Sequence, residues 1–144
     1  MSIRVLLLSF SVAFICFSSV NLFSQEESAA ISGVNFYYPK NAYRPIVSDG
    51  IESYLKELKA YVDDNEDARI KLDGYAQDGK NEEWNTRVSK YRVRALRDIL
   101  IDYGISKNRI EIEYFGKTGF IAEDDSDKEL AKNRRVELRI DSDS

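Results

Sequence analysis

The chain has no histidine and a single cysteine, and these two shortages exclude most of the familiar catalytic chemistry. Without histidine there is no Ser-His or Cys-His nucleophilic pair, no His-ligated zinc or haem, and no ordinary general base for neutral pH. An enzyme would then need a pair of carboxylates, and the sequence marks no such pair. We therefore predict a protein that is not an enzyme, with no cofactor and no metal site.

An excess of positive charge is also lacking. The 144 residues include 21 Lys and Arg against 25 Asp and Glu, a formal net charge of -4. A protein that binds nucleic acid usually carries a basic stripe that neutralises phosphates. We therefore expect no nucleic-acid partner. The length fits one ordinary globular domain with an appendage.

Long apolar runs are absent except near the N-terminus. Residues 1–25 contain one charge, Arg4, followed by an apolar run over 5–17. This layout is typical of a cleaved secretory signal, and the run is shorter than the about 20 residues that span a membrane. We predict a signal peptide over 1–25 and export to the periplasm, with an uncleaved anchor as the alternative. Cys16 follows the large residues Phe14 and Ile15, so a lipidation site is not expected there.

The remainder alternates between two periods. After a flexible lead over 26–32, apolar residues at every second position predict strands over 34–38, 70–74, 110–114 and 136–140. Spacings of three to five predict helices over 46–63 and 82–103, the second ended by Gly104, and a short helix over 126–131. We predict an α/β (α+β) two-layer sandwich of order βαβαβ(α)β over 33–141, with helices on one face of a mixed sheet and a tail over 142–144.

Two segments imitate known ligand-binding motifs. Residues 74–81 run G-x-x-x-x-G-K, but Asn81 stands where a phosphate-binding loop needs Ser or Thr. The acidic stretch over 123–129 suggests calcium, yet Leu130 and Val136 occupy the positions that require Gly and Glu. We therefore predict neither nucleotide binding nor a calcium site.

The long second helix carries a polar stripe beside its apolar face. At 100° per residue, Asn85, Ser89 and Arg92 share this stripe. Helix N-terminal amides and a guanidinium are suited to holding a carboxylate. Two alternatives follow: Arg92 binds an external carboxylate, or it pairs with Asp78 and stabilises the preceding turn. The apolar face is predicted to comprise Trp84, Val88, Tyr91, Ala95 and Ile99.

The same motifs, in this order, resemble the OmpA-like (OmpA/Pal/MotB C-terminal) peptidoglycan-binding domain. The resemblance covers nearly all of the chain after the signal. It rests on Phe36-Tyr37-Tyr38, Pro45, Gly74, Asn85, Ser89, Arg92, Ala95, Gly104-Ile105, Arg109, Gly116, Ile121-Ala122 and Asn133-Arg134-Arg135-Val136-Glu137. It implies the fold predicted above and noncovalent binding of the diaminopimelate of peptidoglycan stem peptides, at the periplasmic side of the envelope and in association with the outer membrane.

The resemblance also implies the residues of the site. Arg92 stands at the position of the arginine that holds the carboxylate of diaminopimelate, and Asn85 at that of an asparagine lining the pocket. Gln77 replaces the aspartate that takes the ammonium, so Asp78, one residue along, is expected to turn inward. Lys40 replaces an acidic residue and disfavours a cation.

The expected site is thus an open, solvent-reachable hollow around Arg92, with Arg135 of the N-R-R-V-E motif also in the ligand-binding set. The alternative is a degenerate scaffold that has lost wall binding and contacts another envelope protein. Its candidate contact residues are Tyr37, Tyr43, Tyr75 and Phe120, because aromatic residues concentrate at interfaces.

Overall fold

The computed structural model describes residues 31–79, 81–123 and 125–141. The predicted signal peptide, most of the flexible lead and the predicted tail lie outside these residues, so their boundaries stay predictions. Within these ranges, no helix has the length and apolar character needed to cross a membrane.

In the part of the chain that the structure describes, four strands and three α-helices follow one another in the predicted order. They are β1 (Val34–Tyr37), α1 (Asp49–Asp64), β2 (Arg69–Gly74), α2 (Glu82–Asp102), β3 (Ile110–Tyr114), α3 (Asp127–Lys132) and β4 (Arg135–Asp141). The sheet order is β1-β4-β2-β3, with β2 and β3 parallel and β4 antiparallel to both β1 and β2. The predicted two-layer fold with a mixed sheet is confirmed.

The start of α1 differs from the prediction. The helix begins at Asp49, because the Ser48 hydroxyl caps it by accepting a hydrogen bond from the Ile51 amide at 3.4 Å. Ile46, which the spacing placed on the apolar face, precedes the helix and is 59% exposed. The predicted end of α2 is confirmed, with Gly104 beyond it at φ +93°.

The core lies between the sheet and the helices. Its buried apolar members are Phe36, Tyr38, Leu55, Leu58, Val62, Ile70, Leu72, Val93, Leu96, Leu100, Ile105, Ile110, Val136 and Leu138. The face of α2 that packs on the sheet is rotated from the predicted one: Trp84 and Tyr91 are exposed, whereas Arg92 is fully buried. The polar stripe therefore points into the protein rather than lying beside its buried face.

Candidate functional site

Arg92 is sealed inside the domain, and all its nitrogen atoms donate to the protein. Its Nη1 and Nη2 donate to the two carboxylate oxygens of Asp78 at 2.7 and 2.8 Å, and both side chains are fully buried. Its Nε donates to the Ala42 carbonyl at 2.9 Å and Nη2 to the Pro39 carbonyl at 3.2 Å. A longer bond of 3.5 Å joins Nη1 to the Tyr75 carbonyl. Arg92 thus ties the β1–α1 loop to the β2–α2 turn.

The expectation that Arg92 lies in an open hollow is therefore wrong for this conformation. The alternative, an internal pair with Asp78, is the one observed, and Asp78 has turned inward as expected. The pair is well satisfied because the Asn41 amide also donates to Asp78 Oδ1, at 2.5 Å. A buried ion pair persists only with such additional hydrogen bonds. Burial raises the pKa of the adjacent Tyr38 hydroxyl, although the Arg92 charge opposes this rise.

Asn85 holds the turn that carries Asp78. Its Oδ1 accepts from the amides of Asp78 and Gly79 at 3.0 and 3.2 Å, and its Nδ2 donates to the Gly79 carbonyl at 2.8 Å. Asn85 is fully buried, so in this conformation it supports the turn without facing open space. Asn81, the residue that argues against a phosphate loop, caps α2 by accepting from the amides of Glu83 and Trp84.

Gln77 instead faces an open hollow of about 420 Å³. Its Oε1 accepts a hydrogen bond from Asn133 Nδ2 at 2.5 Å. The positions 77 and 92, which the resemblance assigns to one site, are thus separated: Gln77 lines the hollow and Arg92 lies in the core. The hollow is lined by Gln77, Lys117, Phe120, Ala122, Glu123, Asp125, Leu130 and Asn133.

Several of these lining residues were missed by sequence reasoning. Lys117 was not singled out by any motif, and Glu123 and Asp125 were considered only as part of the acidic stretch that suggested calcium. Asn133 carried a signal, since it opens the N-R-R-V-E motif that supports the resemblance. Its role in the structure is to accept, through Oδ1, from the amides of Ile121 and Ala122 at 2.9 and 3.2 Å.

Arg135 positions the same loop from its other side. Its Nη2 donates to the Gly119 carbonyl at 3.0 Å, and its guanidinium lies 4.1 Å from the centre of the Tyr75 ring. Gly119 has φ +60°, and a Cβ there would lie 2.6 Å from Tyr75 Cε1. Only glycine fits this close approach. The Arg135 side chain is 3% exposed, and its Nε and Nη2 also donate to Glu137 Oε1 at 2.8 and 2.6 Å, so it faces the protein and not open space.

The remaining predicted site residue, Lys40, is exposed in the β1–α1 loop. Its ammonium has no ion pair or hydrogen bond among the residues that the structure describes. Of the four aromatic residues proposed for a protein interface, Tyr37, Tyr43 and Phe120 are exposed. Tyr75 is half-buried, stacked on Phe115 with ring centres 5.3 Å apart.

No cluster of three or more potential metal-ligating acids, Cys or His is found within 31–79, 81–123 and 125–141. Of the acids considered for calcium, Glu129 accepts a hydrogen bond from the Glu123 amide at 3.1 Å, so this carboxylate serves the loop backbone.

Comparison with known proteins agrees with the resemblance. The chain is 28% identical over 116 residues to the peptidoglycan-associated lipoprotein of Pseudomonas putida, covering 79% of this chain and 67% of that protein. It is 31% identical over 119 residues to outer membrane protein A of Buchnera aphidicola, covering 76% of this chain but 34% of that protein. The chain thus spans about a third of the Buchnera protein.

Solved structures share the fold. The crystal structure of the peptidoglycan-associated lipoprotein from Burkholderia pseudomallei has a TM-score of 0.68 at 22% identity, covering 83% of this chain and 98% of that one. The C-terminal domain of Helicobacter pylori MotB has a TM-score of 0.64 at 20% identity, covering 77% and 86%. The OmpA family profile matches residues 44–134, more than half of the chain. The chain therefore belongs to the OmpA family, as a domain that is not an enzyme.

Proposed function

We propose that this domain is exported, resides in the periplasm in association with the outer membrane, and binds peptidoglycan noncovalently through the diaminopimelate of its stem peptides. The observation that carries the proposal is the arrangement around Asp78. The Arg92 guanidinium donates to both carboxylate oxygens of Asp78, and the Asn41 main-chain amide donates to one of them. Together these donors form a receptor for a carboxylate. In this structure the receptor holds a carboxylate of the chain itself.

Binding would proceed by exchange of one carboxylate for another. The stem-peptide carboxylate replaces that of Asp78 on Arg92, so the buried guanidinium keeps an anion throughout. Leaving it unpaired would be strongly destabilising. The released Asp78 carboxylate then takes the ligand ammonium, the role that the resemblance gives to the aspartate replaced by Gln77.

The exchange has a cost in affinity. Asp78 is tethered next to Arg92, and a tethered competitor acts at a high effective concentration. The neutral Gln77 amide contributes no charge toward the ammonium. Lys40, which lies between Pro39 and Asn41 of the receptor, adds an unfavourable positive charge. We therefore expect weaker retention on the cell wall than in a domain with aspartate at position 77.

Sedimentation with purified sacculi tests this proposal. Arg92→Lys keeps the charge but loses the bidentate geometry, so it should sediment less than wild type. Gln77→Asp should sediment more, because it supplies a second carboxylate for the ammonium. Arg97→Lys, which alters an α2 residue paired with the exposed Asp98, is the matched control. Circular dichroism establishes that each variant is folded.

The proposal fails if folded wild type and Arg92→Lys sediment equally poorly. The second candidate function, contact with another envelope protein on a scaffold that no longer binds the wall, would then be favoured. It is supported by the closure of Arg92 and by the exposure of Tyr37, Tyr43 and Phe120. It predicts that wild type does not sediment with sacculi at any protein concentration at which the domain stays soluble.

A further inference from the structure

The strand β3 lies at an edge of the sheet. In the part of the chain that the structure describes, it pairs with β2 alone. We propose that this edge binds an extended segment of another protein as an added strand, with acidic side chains facing α2 and basic side chains facing the opposite side of the sheet. The inference goes beyond the proposed function, because this surface contains none of the residues assigned to peptidoglycan.

The main chain of β3 presents hydrogen-bonding groups along the edge. In a parallel pair, the N–H and C=O groups of successive residues point alternately toward and away from the neighbouring strand. The Phe115 amide donates to the Gly74 carbonyl of β2 at 2.9 Å, so by alternation the main-chain groups of Ile112 and Tyr114 point away from β2. Among the described residues, no turn, loop or cap hydrogen bond uses these groups. An added strand would satisfy them.

A groove of about 520 Å³ adjoins the edge on the side of the helices. Tyr114 of β3 and Tyr91 of α2 are among its lining residues and are 40% and 46% exposed. Lys90 of α2 connects the two sides of the groove, since its Nζ lies 5.4 Å from the Tyr114 ring centre. Side chains of an added strand that point toward α2 would therefore enter this groove.

The groove favours acidic side chains. Arg87, Lys90 and Arg94 line it at helical spacing, and none of them forms an ion pair with another described residue. Three cations without a counter-charge are notable in a chain whose net charge is -4. The acids of the groove, Glu82 and Glu83, lie in the first turn of α2, where the helix dipole stabilises negative charge.

The opposite side of β3 favours basic side chains. Successive side chains of a strand point to opposite faces of the sheet, so Glu111 and Glu113 point away from α2. Both are exposed, and neither forms an ion pair with another described residue. Like charges directly opposite each other destabilise a strand pair, so these glutamates disfavour a second copy of β3 and favour a basic partner.

The other edge of the sheet differs. At the end of β1 the Tyr37 carbonyl accepts a hydrogen bond from the Ile46 amide at 2.9 Å, so the chain that follows β1 already occupies part of that edge. The residues of β1 before Tyr37 carry no charge. The unused main-chain groups and the two sets of unpaired charges thus coincide at β3.

The test is a titration of the folded domain with a short synthetic peptide that alternates Glu and Lys. When extended, this peptide places its acids on one face and its bases on the other. The matched control peptide has the same composition in two blocks, all Glu followed by all Lys, and has no such faces. Nuclear magnetic resonance should show saturable shifts of the Ile112 and Tyr114 amides. We expect the alternating peptide to bind about tenfold more tightly than the block peptide, because several cross-strand charge pairs add.

Charge-reversed variants locate the contacts. Glu113→Lys should weaken binding of the alternating peptide by about fivefold, since repulsion replaces attraction on the outer face. Lys90→Glu should weaken it by a similar factor in the groove. Glu57→Lys and Lys56→Glu make the same charge changes at exposed positions of α1 and should leave the affinity unchanged. Equal affinities of each variant and its charge-matched control would overturn the inference.

Methylated peptides test the main-chain contacts separately from the charges. N-methylation of alternate residues removes the amides on one edge of the peptide, so methylation of one of the two possible sets should abolish binding. Binding that survives methylation of either set overturns strand addition. Shifts of Ile112 and Tyr114 that appear when the domain is concentrated without peptide would assign the edge to a second copy, which also overturns the inference. Sedimentation with sacculi tests the proposed function independently of all these outcomes.

Discussion

The Asp78–Arg92 pair and the hollow beside Gln77 are neighbours that use polar groups in opposite ways. In the pair, every nitrogen of a fully buried guanidinium donates to a protein oxygen. In the hollow, amides and charged groups face open space, and one amide nitrogen has no partner among the described residues. The comparison shows how an arginine at a position that the resemblance assigns to recognition can also stabilise the fold, because the chain itself supplies the carboxylate that it holds.

The largest loss of stability is expected when the Asp78–Arg92 pair is broken. Asp78→Ala leaves a buried guanidinium without an anion and should lower the free energy of unfolding by about 3–5 kcal/mol. Acetate should restore part of the loss by entering the emptied receptor, which thermal denaturation at increasing acetate concentration would detect.

The matched control is Asp63→Ala, which removes an exposed ion pair with Lys59. It should cost at most about 1 kcal/mol, with no response to acetate beyond that of wild type. Equal losses in the two variants would contradict the structural importance assigned to the Arg92 pair.

A smaller loss of stability is expected when the loop that lines the hollow loses its hydrogen bonds to Asn133. Asn133→Ala removes the oxygen that accepts from the Ile121 and Ala122 amides, at a cost of about 1–3 kcal/mol. Hydrogen exchange should accelerate at these two amides and stay unchanged at Asp78. Unchanged protection at Ile121 would show that the loop is held by other contacts.

Asp73, a buried acid of β2, provides a pH-dependent comparison. Burial raises the pKa of Asp73 above its ordinary 3.8, Arg139 lowers it, Glu113 and Glu137 raise it, and Lys71 lowers it. A raised folded pKa means that the folded state binds the proton more readily than the unfolded state. The favourable contribution of Asp73 is thus complete below its ordinary pKa and is lost as the pH rises through the folded value.

Asp73→Asn removes this titration. Relative to wild type, the free energy of unfolding of the variant should therefore rise as the pH increases from 3.8 through the raised pKa of Asp73. Chemical denaturation at a series of pH values measures the difference. A difference that is independent of pH would show that Asp73 titrates alike in the folded and unfolded states.

The smallest effect on stability is expected for Phe120→Ala. The side chain is half-exposed, so its loss should change the free energy of unfolding by about 0.5 kcal/mol or less, in contrast to Asp78→Ala. Urea denaturation checks this expectation. A large loss would mean that Phe120 is part of the core and is not available as a binding surface.

Sequence reasoning predicted the fold well because it depends on local periodicity. Alternation and helical spacing located all four strands and all three helices, and Gly104 ended α2 as predicted. The start of α1 was wrong because an apolar residue, Ile46, was counted into the pattern, whereas the Ser48 cap decides where the helix begins.

The site was harder to predict because its energetics are long-range. Trp84 and Tyr91 look like core residues by hydrophobicity, and Arg92 does not. The burial of Arg92 depends on carbonyl groups of Pro39 and Ala42, about fifty residues away. No local pattern reports such distant acceptors. The pairing with Asp78 could only be stated as one of two alternatives, since spacing does not show which way a turn faces.

The most direct test of carboxylate exchange on Arg92 follows the Asp78 carboxylate during binding. Nuclear magnetic resonance of the side-chain carboxyl carbon of Asp78 and of Arg92 Nε, at saturation with a stem peptide containing diaminopimelate, reports whether one acid replaces another on the guanidinium. If carboxylates exchange on Arg92, the Asp78 signal moves and Arg92 gains contacts to the peptide carboxylate. A saturated complex in which both signals keep their unliganded positions would contradict it.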